Sequence, residues 1–392
     1  MLRNISSMLE TAHNVGAQLR PHVKTHKTVE IARLQVGAGG ARRIVVSTLA
    51  EAQHFAAGGF DNILYGVPLE PSKFPVVTSL ASRIASMHVM VDSVIAVKSL
   101  AAYCAEHCSG ADGKPLHAFV KVDAGYGRAG VAADSANALD VVAAVVAAQP
   151  FLSFAGIYSH SGDSYNCGSD GAARAASHEL QAMTALAARV KAVTGVTAPV
   201  VSVGATPSAS CGDRDAFRDA ASALRAEGTH LELHPGNYVF FDRQQVACGS
   251  CVRGDIAGYV VSRVVGVYPA RGEALIDAGS CALHKDAAGL PDWGELIGDA
   301  GDSGAHAGAA PLTLLRMTQE AAVVGVRASG GGNGTASPSM SLPSYGDVVR
   351  VLPNHSCMTA AAHAQYFVVD KVGGTVKDVL TPCKFWATSA TK

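Results

Sequence analysis

Two short stretches near opposite ends of the chain carry side chains suited to chemistry. The first is Arg20-Pro21-His22-Val23-Lys24-Thr25-His26-Lys27, which sets two lysines beside two histidines. The second is Pro353-Asn354-His355-Ser356-Cys357, with an imidazole and a thiol two residues apart. A lysine amine held among polar groups can form a Schiff base with a carbonyl compound. An imidazole and a thiolate are ligand types that zinc accepts. Neither stretch decides anything alone. A strand-end lysine is more often a surface group, and a buried Cys beside a buried His is more common than a two-ligand metal site.

Four further strings add polar groups at regular intervals. Lys121-Val122-Asp123-Ala124-Gly125-Tyr126-Gly127-Arg128-Ala129-Gly130 is a glycine-rich turn with an arginine. His160-Ser161-Gly162-Asp163-Ser164-Tyr165 is a polar cluster. Gly204-Ala205-Thr206-Pro207-Ser208 and His234-Pro235-Gly236-Asn237-Tyr238 offer bare backbone N–H groups at Gly204 and Gly236 and a hydroxyl at Thr206. Such groups can close on an anion. Cys248-Gly249-Ser250-Cys251 has Cys-x-x-Cys spacing, but no second half-site or thioredoxin-like context lies nearby. It reads as two ordinary thiols.

The elements that must position these groups follow a rhythm. Short apolar runs at 19–25, 43–47, 62–67, 87–92, 117–123, 154–160, 200–204 and 230–235 predict strands. Ala-rich amphipathic stretches such as 49–57 and 173–193 predict the helices between them. Roughly eight β/α units in about 240 residues suit a (β/α)8 barrel, whose chemistry sits at the C-terminal strand ends. A doubly wound sheet is the alternative, weakened because no Gly-x-Gly-x-x-Gly follows the first strand. Strand alternation puts His22 and Lys24 on one face and Lys27 on the other, so Lys24 is the stronger Schiff-base candidate. The loops after strands seven and eight are where barrels commonly bind phosphate, and they carry Gly204, Thr206 and Gly236. A Schiff-base lysine facing a phosphate cup describes a site for pyridoxal phosphate.

After about residue 243 the texture changes. Runs at 259–268, 273–277, 347–352 and 365–370 are short, Val-rich and turn-bounded, predicting a mostly β second domain. The expected division is a barrel over 1–243 and a β-rich domain over 244–392, with flexible insertions at about 298–311 and 328–345. Residues two apart on a strand share a face, which would let His355 and Cys357 reach one ion.

Composition narrows the class. Hydrophobic residues make up 48% and charged residues 16% of the 392, enough for a large core. The formal net charge of −1 argues against a nucleic-acid surface. No apolar run reaches the roughly 18 residues of a membrane span. The first twenty residues lack a signal-peptide pattern; the basic, Ser-containing start at 1–7 reads better as a barrel helix than as a transit peptide. Nine irregularly spaced cysteines fit free thiols in a reducing compartment, and a cytoplasmic location is expected.

Taken together, the strings at 21–27, 123–130, 204–208, 232–242, 277–280 and 346–359 resemble the metal-dependent D-serine dehydratase branch of the alanine-racemase-like, fold type III, pyridoxal-phosphate enzymes. They span nearly the whole chain in family order. The resemblance implies a barrel followed by a β domain, a homodimer, and a small-molecule substrate, D-serine. It makes Lys24 the Schiff-base residue and His355 and Cys357 the ligands of Zn2+. It assigns the phosphate to loops at Gly204, Thr206, Gly236 and Asn237, with His22 beside the cofactor and Tyr165 facing its pyridine nitrogen. D-Threonine aldolases share the layout but typically carry Asp where this chain has Cys357. Relatives also begin with an extra strand, and often carry Gln-Glu-His where this chain reads Gln319-Glu320-Ala321.

The reaction so implied is β-elimination of water from D-serine, giving pyruvate and ammonia. One rival is retro-aldol cleavage of D-3-hydroxy amino acids. The other is a non-catalytic pyridoxal-phosphate carrier, against which the second domain and the His355/Cys357 pair both count.

Overall fold

The computed structural model describes residues 1–37, 42–107, 114–297, 311–327 and 341–384. The insertions expected at 298–311 and 328–345 lie largely outside the described residues. The chain divides into two compact units, one built on Leu2–Tyr238, the other on Val239–Ala247 and Cys251–Pro382.

Among the described residues the larger unit has eight barrel strands, β1 (Gln18–Leu19), β2 (Arg43–Val46), β3 (Asn62–Pro68), β4 (Ser86–Val91), β5 (Leu116–Asp123), β6 (Leu152–Tyr158), β7 (Val200–Val203) and β8 (His230–Leu233), and a two-residue strand, Val131–Ala132, off this path and paired with β5. The eight pair in parallel in sequence order, with β1 beside β8. An isolated parallel bridge between His22 and Val45 all but closes the ring, which is a (β/α)8 barrel rather than a doubly wound sheet. Parallel strands covered on both faces are largely apolar. Val45, Leu64, Met90, Phe119 and Tyr158 fill the barrel, while residues such as Ile44, Ile63 and Val120 pack outward beneath the helices.

The first strand differs from its expected span of 19–25. It ends at Leu19, and Val23–Thr25 forms a 3-10 turn. Pro21 has no N–H to donate to a ladder, and the His22 imidazole caps the turn by accepting from the Lys24 amide at 3.4 Å. Lys24 therefore sits on a turn, and strand alternation does not explain its direction.

The smaller unit is a closed antiparallel barrel of six strands: β9 (Val260–Tyr268), β10 (Glu273–Ile276), β11 (Gly294–Ile297), β12 (Leu312–Met317), β13 (Ala322–Val326) and β14 (Val348–Pro353). A hairpin of β15 (Tyr366–Val369) and β16 (Val376–Leu380) follows. Closure leaves the six-stranded barrel no bare edge, and Val264, Ile276, Leu314 and Val351 fill its centre. Sequence reasoning anticipated β9, β10, β14 and β15 but not β11, β12, β13 or β16. No described helix is long and apolar enough to cross a membrane.

Candidate functional site

The Lys24 turn lies at the C-terminal end of the large barrel, among groups that later strands deliver. Its side chain is half-buried, and no described side chain forms an ion pair with its ammonium. Burial, and then the Lys24 charge, hold His22 and His160 far below the usual imidazole range. Burial, Lys121 and Lys24 do the same to His234. Three imidazoles held neutral thus lie within electrostatic reach of Lys24. His26 belongs elsewhere: it is wholly buried, bonded to Gln35 at 2.8 Å and Thr28 at 3.1 Å, and pushed down to about 4 by burial.

The loops singled out for anion binding are knitted to this turn. Gly204 has φ +117°, which L side chains rarely adopt. The Tyr238 amide donates to the buried Thr206 hydroxyl at 3.2 Å, tying the loop after β7 to the loop after β8. Gly236 passes so close to the first turn that an added Cβ would lie 2.6 Å from the His22 carbonyl oxygen. Asn237 is buried beside it. Tyr165 ends the 3-10 turn Gly162–Tyr165, with its ring 6.4 Å from that of His160. The Cys248 thiol donates to the Tyr165 carbonyl at 2.6 Å. Every described cysteine is a free thiol.

Two buried groups here were not singled out from sequence. Lys121 lies on β5 with its ammonium 4.6 Å from the Tyr158 ring centre, and Tyr158 stacks on His234 at 4.0 Å. Burial, helped by the Arg128 charge, lowers Lys121 to about 8. Alternation with the inward Phe119 was a signal for it. Glu179 accepts from the Ser159 hydroxyl at 2.5 Å, and burial pushes its carboxyl up to about 7. No local pattern marked Glu179, which sits mid-way along the helix Gly168–Thr194.

In the smaller unit His355 caps the helix Ser356–Ala362, and Cys357 lies in its first turn. The pair is thus at a helix start, not on a pleated strand. Their side chains are nonetheless in hydrogen-bond contact. Burial disfavours the His355 cation, but Cys357, Asp286 and Asp242 outweigh it and push the imidazole up to about 9. Asp286 Oδ2 lies 2.6 Å from His355 Nδ1. The buried Asp242 carboxylate accepts from the Ser356 amide at 2.8 Å, fixing the start of the helix. Sequence reasoning missed both aspartates. Among the described residues no three His, Cys, Asp or Glu side chains converge as metal ligands.

Residues 1–232 match the alanine racemase N-terminal domain family. The chain belongs to the alanine-racemase-like family. This is the family that the motifs resemble, and pyridoxal phosphate is the cofactor that fits it. Residues 257–369 match a putative serine dehydratase domain. A D-serine dehydratase of Schizosaccharomyces pombe is 30% identical over 98% of this chain and 89% of its own length. The solved D-threo-3-hydroxyaspartate dehydratase of Delftia sp. HT23 is 29% identical, with TM-score 0.82 over 98% of this chain and 95% of that one. A mutant D-threo-3-hydroxyaspartate dehydratase solved in a metal-free form has TM-score 0.83 at 29% identity, over 98% of this chain and 95% of that one.

The family's cofactor needs an amine, an anion cradle and a dry wall. The residues present fit: an amine at Lys24 with no ion-pair partner among the described residues, glycine and hydroxyl loops at 204–206 and 236, and neutral imidazoles, buried at His234 and half-buried at His22 and His160. The thiol and imidazole at 355–357 fit a borderline-soft divalent ion better than magnesium or calcium.

Proposed function

We propose that this protein is a pyridoxal-phosphate- and zinc-dependent D-serine dehydratase, an ammonia-lyase that converts D-serine to pyruvate and ammonia. The contact between the His355 imidazole and the Cys357 thiol carries this reading, because it brings together two side chains of types that zinc accepts, for which a plain cofactor carrier would have no use. Dehydratases among the relatives support it.

Lys24 Nζ would join the cofactor aldehyde, and later take the α-proton of the substrate as a neutral amine. Gly204, Thr206, Gly236 and Asn237 would hold the phosphate, with His22 and Tyr165 flanking the ring. His355 and Cys357 would hold zinc, leaving positions open for substrate. When bound, the cofactor supplies an electron sink at the substrate α-carbon, and zinc supplies Lewis acidity for loss of the hydroxyl.

The domains would divide the labour: 1–243 binds the cofactor, and 244–392 carries the metal. A cytoplasmic homodimer acting on a small molecule completes the proposal; the free thiols support a reducing compartment. Product analysis with D-serine and D-threonine, with and without chelator, tests it. Pyruvate and ammonia from D-serine, abolished by chelator, are expected. Faster release of glycine and acetaldehyde from D-threonine would overturn it in favour of the aldolase.

A further inference from the structure

We propose that Asp286 is a positioning residue for the metal centre, fixing which nitrogen of His355 faces the ion. The inference rests on the reading of His355 and Cys357 as metal ligands and extends it to a residue 69 positions earlier in the chain.

A carboxylate only accepts hydrogen bonds, so the 2.6 Å contact between Asp286 Oδ2 and His355 Nδ1 places a proton on Nδ1. In the neutral imidazole that a metal ligand must be, that leaves Nε2 with its lone pair, in the ring orientation the carboxylate sets. Carboxylate–imidazole–metal arrangements of this kind raise the basicity of the ligating nitrogen and restrict ring rotation. Asp286 is itself held at both oxygens, since Oδ1 accepts from the Ala288 amide at 2.9 Å.

The loop bearing Asp286 is built to hold it there. Two non-glycine residues, His284 at φ +63° and Ala288 at φ +53°, flank it in the left-handed region. Such conformations persist only where the surroundings enforce them. The enforcing bonds come from the segment that carries the ligands. Thr359 donates its hydroxyl to the Leu283 carbonyl at 2.8 Å, and His363 Nε2 donates to the Ala282 carbonyl at 2.8 Å. Asn354 donates its amide to the Ala287 carbonyl at 3.1 Å. The two backbone segments are therefore stapled on both sides of the Asp286–His355 contact. An exposed ion pair joined by nothing else would contribute little and would need no such frame.

The test uses the full-length protein loaded with cofactor and stripped of metal by dialysis against chelator. Zinc affinity is measured by competition with a chromophoric zinc chelator for wild type, Asp286→Ala, Asp286→Asn and the ligand variant Cys357→Ala. The cofactor absorbance band and the melting temperature before zinc addition report on folding. Asp286→Ala should weaken zinc binding about 10–100-fold with the absorbance band unchanged. Asp286→Asn should recover most of that loss, because the amide oxygen still accepts from Nδ1–H. The inference is overturned if Asp286→Ala binds zinc within about twofold of wild type, or if Asp286→Asn is as weak as Asp286→Ala. Wild type whose zinc affinity does not respond to Cys357→Ala would instead overturn the metal reading itself, and this inference with it.

Discussion

The Lys27 ammonium lies 3.0 Å from a carboxylate oxygen of Glu51, whose side chain is wholly buried. Lys27 is thereby occupied, on a residue whose backbone already takes φ +55°. Lys24, three residues earlier, has no carboxylate partner among the described residues. Borohydride reduction of the cofactor-loaded protein, followed by peptide mapping, should mark Lys24. Label on Lys27, or on the buried Lys121 whose lowered proton affinity makes it the chemical rival, would refute the assignment.

Replacement of Cys357 by Ala would remove one of the two proposed metal donors without changing a residue of the large barrel. Turnover of D-serine should fall at least ~100-fold, the scale of Lewis-acid assistance to a poor leaving group. The absorbance of bound cofactor should stay as in wild type. Added zinc should restore chelator-treated wild type but not the variant. Full activity of the variant in chelator would sink the metal role.

Gly236 leaves no room for a side chain against the His22 carbonyl, where a Cβ would meet backbone at 2.6 Å. Gly236→Ala should weaken cofactor binding at least ~10-fold and lower the melting temperature, since backbone cannot yield as a flexible side chain does. Gly254, with nothing within 4 Å of an added Cβ, supplies the control, and Gly254→Ala should bind cofactor normally. Fluorescence titration with pyridoxal phosphate distinguishes the two, and equal affinities would count against the close approach.

Glu179 makes stability fall as pH rises. Its folded value of about 7 lies above its ordinary 4.5, so the native state holds a proton that the unfolded chain has lost between those values. The cost of ionising it in the fold grows from about pH 4.5 and is complete above about 7, on the order of 1–3 kcal/mol. Glu179→Gln removes that cost. The melting temperature of the cofactor-free variant, relative to wild type, should therefore rise between pH 5 and pH 8. A difference that stays flat or falls over that range would show that Glu179 is ionised at little cost.

The sequence by itself determined the barrel, the family and the strings that carry Lys24, His355 and Cys357. Barrel strands covered on both faces are largely apolar and helices between them amphipathic, so that rhythm is written locally. Short glycine, proline and histidine strings are equally local. Lys24 lies on a 3-10 turn capped by His22, and Cys357 lies in the first turn of a helix, so strand alternation positions neither. Spacing of two residues fits a strand or a helix start alike, and only the backbone path decides between them. The strands β11, β12 and β13 pair with partners that folding brings alongside, and their short runs carried no turn signal strong enough to predict them. Tertiary structure alone decided that Glu51 occupies Lys27, that burial tunes Lys121 and Glu179, and that Asp286 meets His355. Each of those effects depends on desolvation or on a partner distant in sequence, and neither is encoded in a local stretch of residues.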